Sequence, residues 1–269
     1  MKSSEMCGTL LNGGNGEMAK LAGNKGELLA AMRYFKREKI PLKGGIEIEV
    51  EGCKGTNIRK AELSDPVSMF GVFDKFTTKY HEKCRKPVCD KENNGLVASD
   101  GRMMLACRIP RDFPVDKAEG SGFSPVQTFP WTWFVDEMDA TEYTLLAYRR
   151  IATVEKGGYI HGFVQTVAEA ARAYRHYGDD GEERHLWLRI GDEFYNPSFA
   201  ANIVDSLFKL GCGSVELCRK ADGGFSPLHF FGIGGEVAAK GLLMPMRYGD
   251  LSLGSFVMPK CGENGKKVA

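Results

Sequence analysis

The last well-defined block of the chain, residues 193–248, carries its clearest local signals. Asn196 followed by Pro197 is typical of a helix start, because asparagine caps the free amides of the first turn and proline suits the first helical position. Apolar residues then recur at helical spacing until Gly211, which favours a helix end. Three apolar runs joined by glycine-rich turns follow, at Val215–Arg219, Pro227–Phe231 and Gly241–Met244. The block therefore predicts one helix followed by three strands.

A second local signal lies at Leu96–Ile109, where Asp100 and Gly101 separate two apolar runs. An Asp-Gly pair in this position is a strong signal for a hairpin turn. Upstream, Ser64 or Asp65 followed by Pro66 predicts a helix start, with a buried apolar stripe that extends to Tyr80. This part of the chain therefore predicts a helix followed by a hairpin.

Two more helices and a second hairpin are predicted elsewhere. Residues 27–39 place apolar side chains at helical spacing before Pro41, and the alanine-rich segment Phe163–Tyr177 does the same. Ile46–Val50 alternates strictly between apolar and acidic residues, and Thr56–Leu63 is its expected hairpin partner. The helices predicted along the chain number four.

Composition bounds the class of protein. The chain has 269 residues, 43% of them hydrophobic, with 36 basic against 35 acidic residues. A globally basic nucleic-acid binder is therefore not indicated, and any electrostatic function must come from local segregation of charge. No apolar run of membrane-spanning length and no export signal is found, so we expect a cytoplasmic protein without a membrane partner. The eight cysteines are then expected to be reduced.

Glycine and proline suggest the domain organisation. Residues 1–24 are rich in glycine and are expected to form a disordered leader. A linker-like stretch at Ala118–Gly122 separates a first domain, residues 25–118, from a second domain, residues 119–248. A C-terminal extension, residues 249–269, completes the chain.

The closing run Leu242-Leu243-Met244-Pro245-Met246-Arg247, with the helix and strands before it, resembles the final half-domain of the DNA polymerase sliding clamp family. The Leu96–Ile109 hairpin is similar to the strand-turn-strand of that family, and the remaining chain matches only in outline. The resemblance implies an α+β DNA-clamp fold, with two domains of antiparallel sheets packed on two helices each. It also implies that a chain of this length would close a ring as a homotrimer.

A clamp holds duplex DNA without reading its sequence, which requires basic side chains directed at phosphates from rigid helices. The alternative is that basic residues on helices are ordinary solvated faces. The candidate DNA-binding residues on the predicted helices are Arg33, Lys36, Arg37, Lys39, Lys75, Lys79, Lys83, Arg172, Arg175 and Lys209.

In the clamp family, the C-terminal Met-Pro-Met-Arg segment forms part of a pocket that binds short peptides of polymerases and other replication proteins. The resemblance assigns this role to Met244, Pro245, Met246 and Arg247. Methionine suits such a pocket because its flexible side chain adapts to different apolar anchors. The alternative is an edge strand whose methionines fill the core. Residues 248–269 continue past the point where bacterial clamps stop, and they could cover the pocket or bind a neighbour.

The sequence thus favours a non-catalytic, sliding-clamp-like protein that encircles or binds duplex DNA and tethers replication or repair partners. One alternative is a clamp-fold interaction module that does not encircle DNA, and another is an unrelated α+β enzyme. No catalytic residue, cofactor or metal site is predicted. His81, Cys84 and Cys89 lack a second ligand pair, and Ser99 lacks the context of a nucleophile.

Overall fold

The chain folds into a mixed α+β structure with antiparallel sheet and five α-helices among the described residues. The computed structural model describes residues 19–38, 46–50, 58–80, 84–125, 143–145, 158–174, 176–177, 183–190, 193–220, 227–246 and 255–257. The helices are α1 (Lys25–Glu38), α2 (Pro66–Phe73), α3 (Val115–Ala118), α4 (Gly158–Ala173) and α5 (Pro197–Lys209). None of these helices has the length and apolar character that a membrane crossing requires.

Fourteen strands are found in the same residues, in three sheets. They are β1 (Ala19–Gly23), β2 (Ile46–Val50), β3 (Val88–Asp90), β4 (Gly95–Ser99), β5 (Met103–Arg108), β6 (Tyr143–Leu145), β7 (His176–Tyr177), β8 (Glu183–Arg184), β9 (Trp187–Ile190), β10 (Glu193–Tyr195), β11 (Ser214–Lys220), β12 (Leu228–Ile233), β13 (Ala239–Leu243) and β14 (Ser255–Val257).

Two compact units interleave along the chain. Unit 1 contains Met1–Lys54, Tyr159–Ala201 and Pro245–Ala269, and unit 2 contains Gly55–Gly158 and Asn202–Met244. This division differs from the consecutive domains, 25–118 and 119–248, that the linker-like stretch predicts. Unit 2 instead brings the Asp100-Gly101 hairpin and the strands of the closing block into one body.

Unit 2 is built on a seven-stranded antiparallel sheet with the order β3-β4-β5-β13-β12-β11-β6. Along the described chain, α2 precedes β3, β4 and β5, and α5 precedes β11, β12 and β13. We call these the first and second helix–strand repeats. The repeats are joined because β5 pairs antiparallel with β13, with Leu105 opposite Gly241. The predictions of a helix and three strands in the closing block and of an Asp-Gly hairpin between β4 and β5 are confirmed.

The helix of the second repeat has the ends that the sequence predicts. The Asn196 Oδ1 atom accepts hydrogen bonds from the backbone amides of Ser198 (2.9 Å) and Phe199 (3.4 Å). At the other end, Gly211 has a φ of +88°, and the Cys212 amide donates to the Leu207 carbonyl at 3.1 Å. This is the left-handed glycine ending that satisfies the last carbonyls of a helix.

Close packing of α5 on β13 fixes the second repeat. A β-carbon added to Gly241 on β13 would overlap the side chain of Ile203 on α5. Ile203 is fully buried, and so are Leu207 and Phe230 around the same layer. The helix therefore lies directly on the strand that joins the two repeats.

The first repeat starts as predicted but its helix is shorter. Asp65 caps α2 by accepting hydrogen bonds from Val67 (3.2 Å) and Ser68 (2.9 Å). The helix ends at Phe73 and continues only as a 3-10 turn, Asp74–Phe76. Termination follows because the Thr77 amide and hydroxyl both donate to the Asp74 carbonyl, at 3.0 and 2.6 Å, in place of helix propagation. The prediction of a helical stripe as far as Tyr80 is wrong.

Unit 1 contains a five-stranded sheet with the order β1-β2-β14-β9-β10. Its β1–β2, β2–β14 and β14–β9 pairings are parallel, and only β9–β10 is antiparallel. The prediction that both domains have antiparallel sheets therefore holds for the large sheet of unit 2 and is wrong for the five-stranded sheet of unit 1, which also has a short antiparallel pair, β7–β8. The strands β1 and β2 flank α1 in sequence and pair in parallel, as a βαβ connection requires.

The alternating segment Ile46–Val50 is a strand, but its predicted hairpin partner is wrong. It lies between β1 and β14, while residues 58–63 form no strand. Parallel partners lie far away in the sequence and leave no signal next to the strand. The nearby glycines therefore led to the prediction of a hairpin. Strand β1 also lies inside the expected leader; residues 1–18 are outside the described part of the chain.

Part of the C-terminal extension is built into the fold. Ser255–Val257 forms β14, which pairs in parallel with β2 on one side and β9 on the other. Phe256 lies opposite both Ile46 and Leu188. A central strand of unit 1 thus comes from the segment that bacterial clamps lack.

The packing of α5 on β13 yields a stability prediction. Gly241→Ala should destabilise the protein by about 1–3 kcal/mol, because its methyl group must displace buried Ile203. The control is Gly71→Ala on α2, where an added β-carbon meets nothing within 4 Å. This control should stabilise by about 0.4–1 kcal/mol, since alanine is the better helix former. Urea unfolding measures both, and equal stability of the two variants would contradict the packing.

The central position of β14 yields a second prediction. Truncation after residue 248 should open the sheet of unit 1 between β2 and β9, whereas truncation after residue 257 should keep it closed. Hydrogen exchange at the amides of β2 and β9 reports the difference. Similar protection in both truncated chains would show that β14 does not hold these strands.

Candidate functional site

Two of the predicted basic residues, Lys75 and Lys209, interact electrostatically in unit 2. Lys75 lies in the 3-10 turn that follows α2, and Lys209 is the last residue of α5. The charge of Lys209 lowers the pKa of Lys75, and the nearby carboxylate of Asp205 opposes that effect. Each helix–strand repeat therefore contributes one lysine to this electrostatic interaction, and we call the two residues the paired-lysine site.

The paired-lysine site is formed against an electrostatic cost. Burial is the largest cause of the lowered pKa of Lys75, and repulsion from Lys209 comes second. Both effects disfavour the protonated amine, because a buried charge loses hydration and a like charge repels it. An anion placed between the two lysines would offset both effects. The site is thus suited to an anionic group such as phosphate.

The other basic candidates are distributed differently. Lys79 is exposed but lies in a turn, because α2 ends before it. In unit 1, Arg33, Lys36 and Arg37 lie exposed on α1, and Arg172 lies exposed on α4. The predicted residues Lys39, Lys83 and Arg175 are outside the described part of the chain.

Two of the exposed arginines already make local contacts. The Arg37 Nε atom lies 2.6 Å from the Glu38 carboxylate, and its guanidinium lies over the Tyr34 ring at 5.5 Å. The Arg172 Nε atom donates to the Ala168 carbonyl of its own helix at 3.0 Å. These contacts leave Arg33 and Lys36 as the more accessible positive charges of α1.

The predicted peptide-binding segment continues from the sheet in unit 2. Met244 follows β13, and its amide donates to the Arg102 carbonyl at 2.8 Å. Its half-buried side chain packs with Met104 against a cluster of Val88, Val97, Ala106 and Leu242. The methionine is therefore anchored on one side and partly open on the other.

The rest of that segment belongs to unit 1. Pro245 is buried and Met246 is half-buried, with its amide donating to the Phe194 carbonyl at 2.8 Å. Arg247 is outside the described residues. Of the four predicted residues, Met244 and Met246 thus offer partly exposed apolar surface.

A cleft that sequence reasoning missed lies beside the ends of β5 and α5. It has a volume of about 320 Å³, and its charged lining residues are Lys60, Arg111, Asp112 and Glu236. Two basic and two acidic residues give it no net formal charge, so it is poorly suited to a polyanion. Its charged residues are far apart in the sequence and form no motif, so the sequence did not predict the cleft.

Four of the described cysteines have thiol pKa values raised by burial. Burial raises the pKa of the Cys212 thiol to about 11 and raises that of Cys107 further. Cys89 and Cys84 also have raised pKa values, chiefly through burial. Thiols of this kind stay protonated and are weak nucleophiles at neutral pH. No three His, Cys, Asp or Glu side chains within the described ranges are grouped to hold a metal ion.

Comparisons with protein-family models, with curated proteins and with solved structures find no significant match to this chain.

The lowered pKa of Lys75 gives a pH-dependent prediction. The folded state releases this proton at lower pH than the unfolded state, so stability rises as the pH increases toward the ordinary lysine value of 10.5. Lys75→Met should remove this rise and should leave the melting temperature at pH 7 unchanged or higher. The control is Lys117→Met on exposed α3, which should keep the rise. Melting curves between pH 7 and pH 10 test this, and identical pH profiles for wild type and Lys75→Met would contradict it.

Proposed function

We propose that this chain is a sliding-clamp-like protein that binds duplex DNA without reading its sequence and tethers replication or repair partners. The observation that carries the proposal is the pair of helix–strand repeats joined by β5 and β13. A repeated unit of one helix and three strands is what the resemblance of the closing block implies for a clamp domain. Its occurrence twice along the chain, with all six strands in the sheet of unit 2, supports a DNA-clamp fold.

The paired-lysine site supports DNA as the ligand. Lys75 and Lys209 come from equivalent places in the two repeats, each at or just after the end of its helix. Lysine acts as a point charge for phosphate oxygens and carries no base preference, which suits sequence-independent binding. Neutralised phosphates release counterions, so binding by such a site weakens as salt increases.

The Met244 segment supports partner binding. Met244 and Met104 share one apolar cluster and are both partly exposed. An apolar anchor of a short peptide, from a polymerase or another replication protein, would add to this cluster with little rearrangement. The flexible methionine side chains would let different anchors use the same surface.

A clamp-fold interaction module that does not encircle DNA is the second candidate. The observation that favours it is β14, because the chain beyond Met246 is partly committed to a parallel sheet. Such a sheet is not part of the antiparallel clamp fold that the resemblance implies. This candidate keeps the Met244 surface but needs no ring.

Retention on circular DNA separates the two candidates. A ring, for which we propose a homotrimer, should remain on a nicked plasmid during gel filtration at moderate salt and should be lost when the plasmid is linearised. Light scattering on the free protein should then give three times the chain mass of 29.7 kDa. A strict monomer that is not retained on the circle would remove the clamp and leave the interaction module.

The paired-lysine site gives a quantitative prediction for duplex binding. The double variant Lys75→Gln and Lys209→Gln should flatten the dependence of log K on log salt by about 1.8, if each lysine neutralises one phosphate at about 0.9 per contact. Lys117→Gln, an exposed lysine outside this site, is the charge-matched control and should shift the slope by less. Fluorescence anisotropy with a blunt 20-base-pair duplex measures both. An unchanged slope in the double variant would exclude the site as a phosphate contact.

A further inference from the structure

Tyr80 is the most exposed large apolar side chain of the described residues, with 98% of its surface accessible. It follows the 3-10 turn of the first repeat and lies in a turn instead of on the helix that the sequence predicts. An aromatic ring held in water forgoes a large burial energy, since aromatic side chains bury 150–250 Å² in typical contacts. Within the described residues the ring remains open to solvent, so it is available as a contact for a ligand.

Hydrogen bonds of Thr78 hold the backbone that leads to Tyr80. The Thr78 amide donates to the Cys84 carbonyl at 2.8 Å, which ties the two ends of the segment together. The Tyr80 amide lies 3.3 Å from the Thr78 hydroxyl, and it donates to that oxygen. These hydrogen bonds restrict the backbone at Tyr80, so less conformational entropy is lost when the ring binds a ligand.

The surroundings of the ring are basic. Lys79 precedes Tyr80, and Arg85 and Lys86 follow the closing residue Cys84; all three are exposed. The charge of the Asp100 carboxylate contributes to the raised pKa of Cys84, so this acid acts on the same loop. That carboxylate accepts hydrogen bonds from the amides of Arg102 (2.8 Å) and Met103 (2.7 Å), so it is engaged within its own turn. Three exposed positive charges thus lie close in sequence to one exposed aromatic ring.

We propose that Tyr80 stacks on an unpaired base of single-stranded DNA while Lys79, Arg85 and Lys86 contact the flanking phosphates. Bases of a duplex are already stacked on each other, so a protruding ring has no free base face to cover there. A single strand offers such faces at every nucleotide, whatever its sequence. This activity goes beyond duplex binding and requires no ring.

Binding to two probes tests the proposal. Fluorescein-labelled oligothymidylate of 20 nucleotides and a blunt 20-base-pair duplex are titrated with the full chain. Tyr80→Ala should weaken binding to the single strand by about tenfold and to the duplex by less than about twofold. Tyr80→Phe keeps the ring and should stay within about twofold of wild type on both probes. Val67→Ala, which removes another exposed apolar side chain near the same helix, is the control and should change neither.

Photochemical crosslinking gives a second, direct readout. An oligothymidylate with one 5-iododeoxyuridine should crosslink to the tryptic peptide that contains Tyr80, because this base reacts with aromatic rings stacked on it. Crosslinks only at other peptides would overturn the proposal, and so would equal losses on both probes in Tyr80→Ala. Vesicles of equal phosphatidylserine and phosphatidylcholine test a membrane as the ligand instead. If Tyr80→Ala loses binding to these vesicles but keeps binding to the oligonucleotide, the single-strand proposal is overturned in favour of a membrane surface. If the wild type binds the duplex but not the single strand, this inference alone is overturned. If the wild type binds neither probe, the proposed clamp function is overturned as well.

Discussion

The antiparallel pairing of β5 with β13 is the interaction on which unit 2 depends. It joins Met103–Arg108 to Ala239–Leu243, two strands that are far apart in the sequence. Forming this pair therefore closes a very long loop of chain. The entropic cost of closing a loop grows only slowly with its length, so the packing of the core can offset this cost. Gly241 in β13 also lets α5 pack on this junction, because a side chain there would overlap Ile203. The two helix–strand repeats share one core as a result.

The function we propose follows from that junction. Lys75 and Lys209 lie at the ends of helical elements of the two joined repeats, and burial and the charge of Lys209 both lower the pKa of Lys75. Burial and like-charge repulsion destabilise the protonated form of Lys75, and a bound phosphate would offset both effects. Perturbed groups of this kind are often found at binding surfaces. The same sheet leads into Met244, whose side chain stays partly open above an apolar cluster. Unit 2 thus carries both the basic and the apolar surface that a tethering protein needs.

Local signals predicted much of this fold, and long-range pairings escaped them. The caps at Asp65 and Asn196 and the turn at Asp100 are set by hydrogen bonds within a few residues, so the sequence shows them directly. The parallel partners of Ile46–Val50 lie far along the chain and leave no nearby turn signal. The candidate site was predicted only as scattered basic residues, since the approach of Lys75 to Lys209 depends on the junction of the repeats. Tyr80 was assigned to a helix stripe because periodicity cannot register that Thr77 ends the helix.

Hydrogen exchange measured with and without a blunt duplex tests the central claim most directly. In the free protein, the amides of β5 and β13 should be protected to the same extent, because they open as one sheet. Addition of the duplex should then slow exchange in α2, its following turn and the last turn of α5, where the paired lysines lie. Unequal protection of β5 and β13, together with no effect of the duplex on either helix, would contradict both the joined repeats and the DNA-binding role built on them.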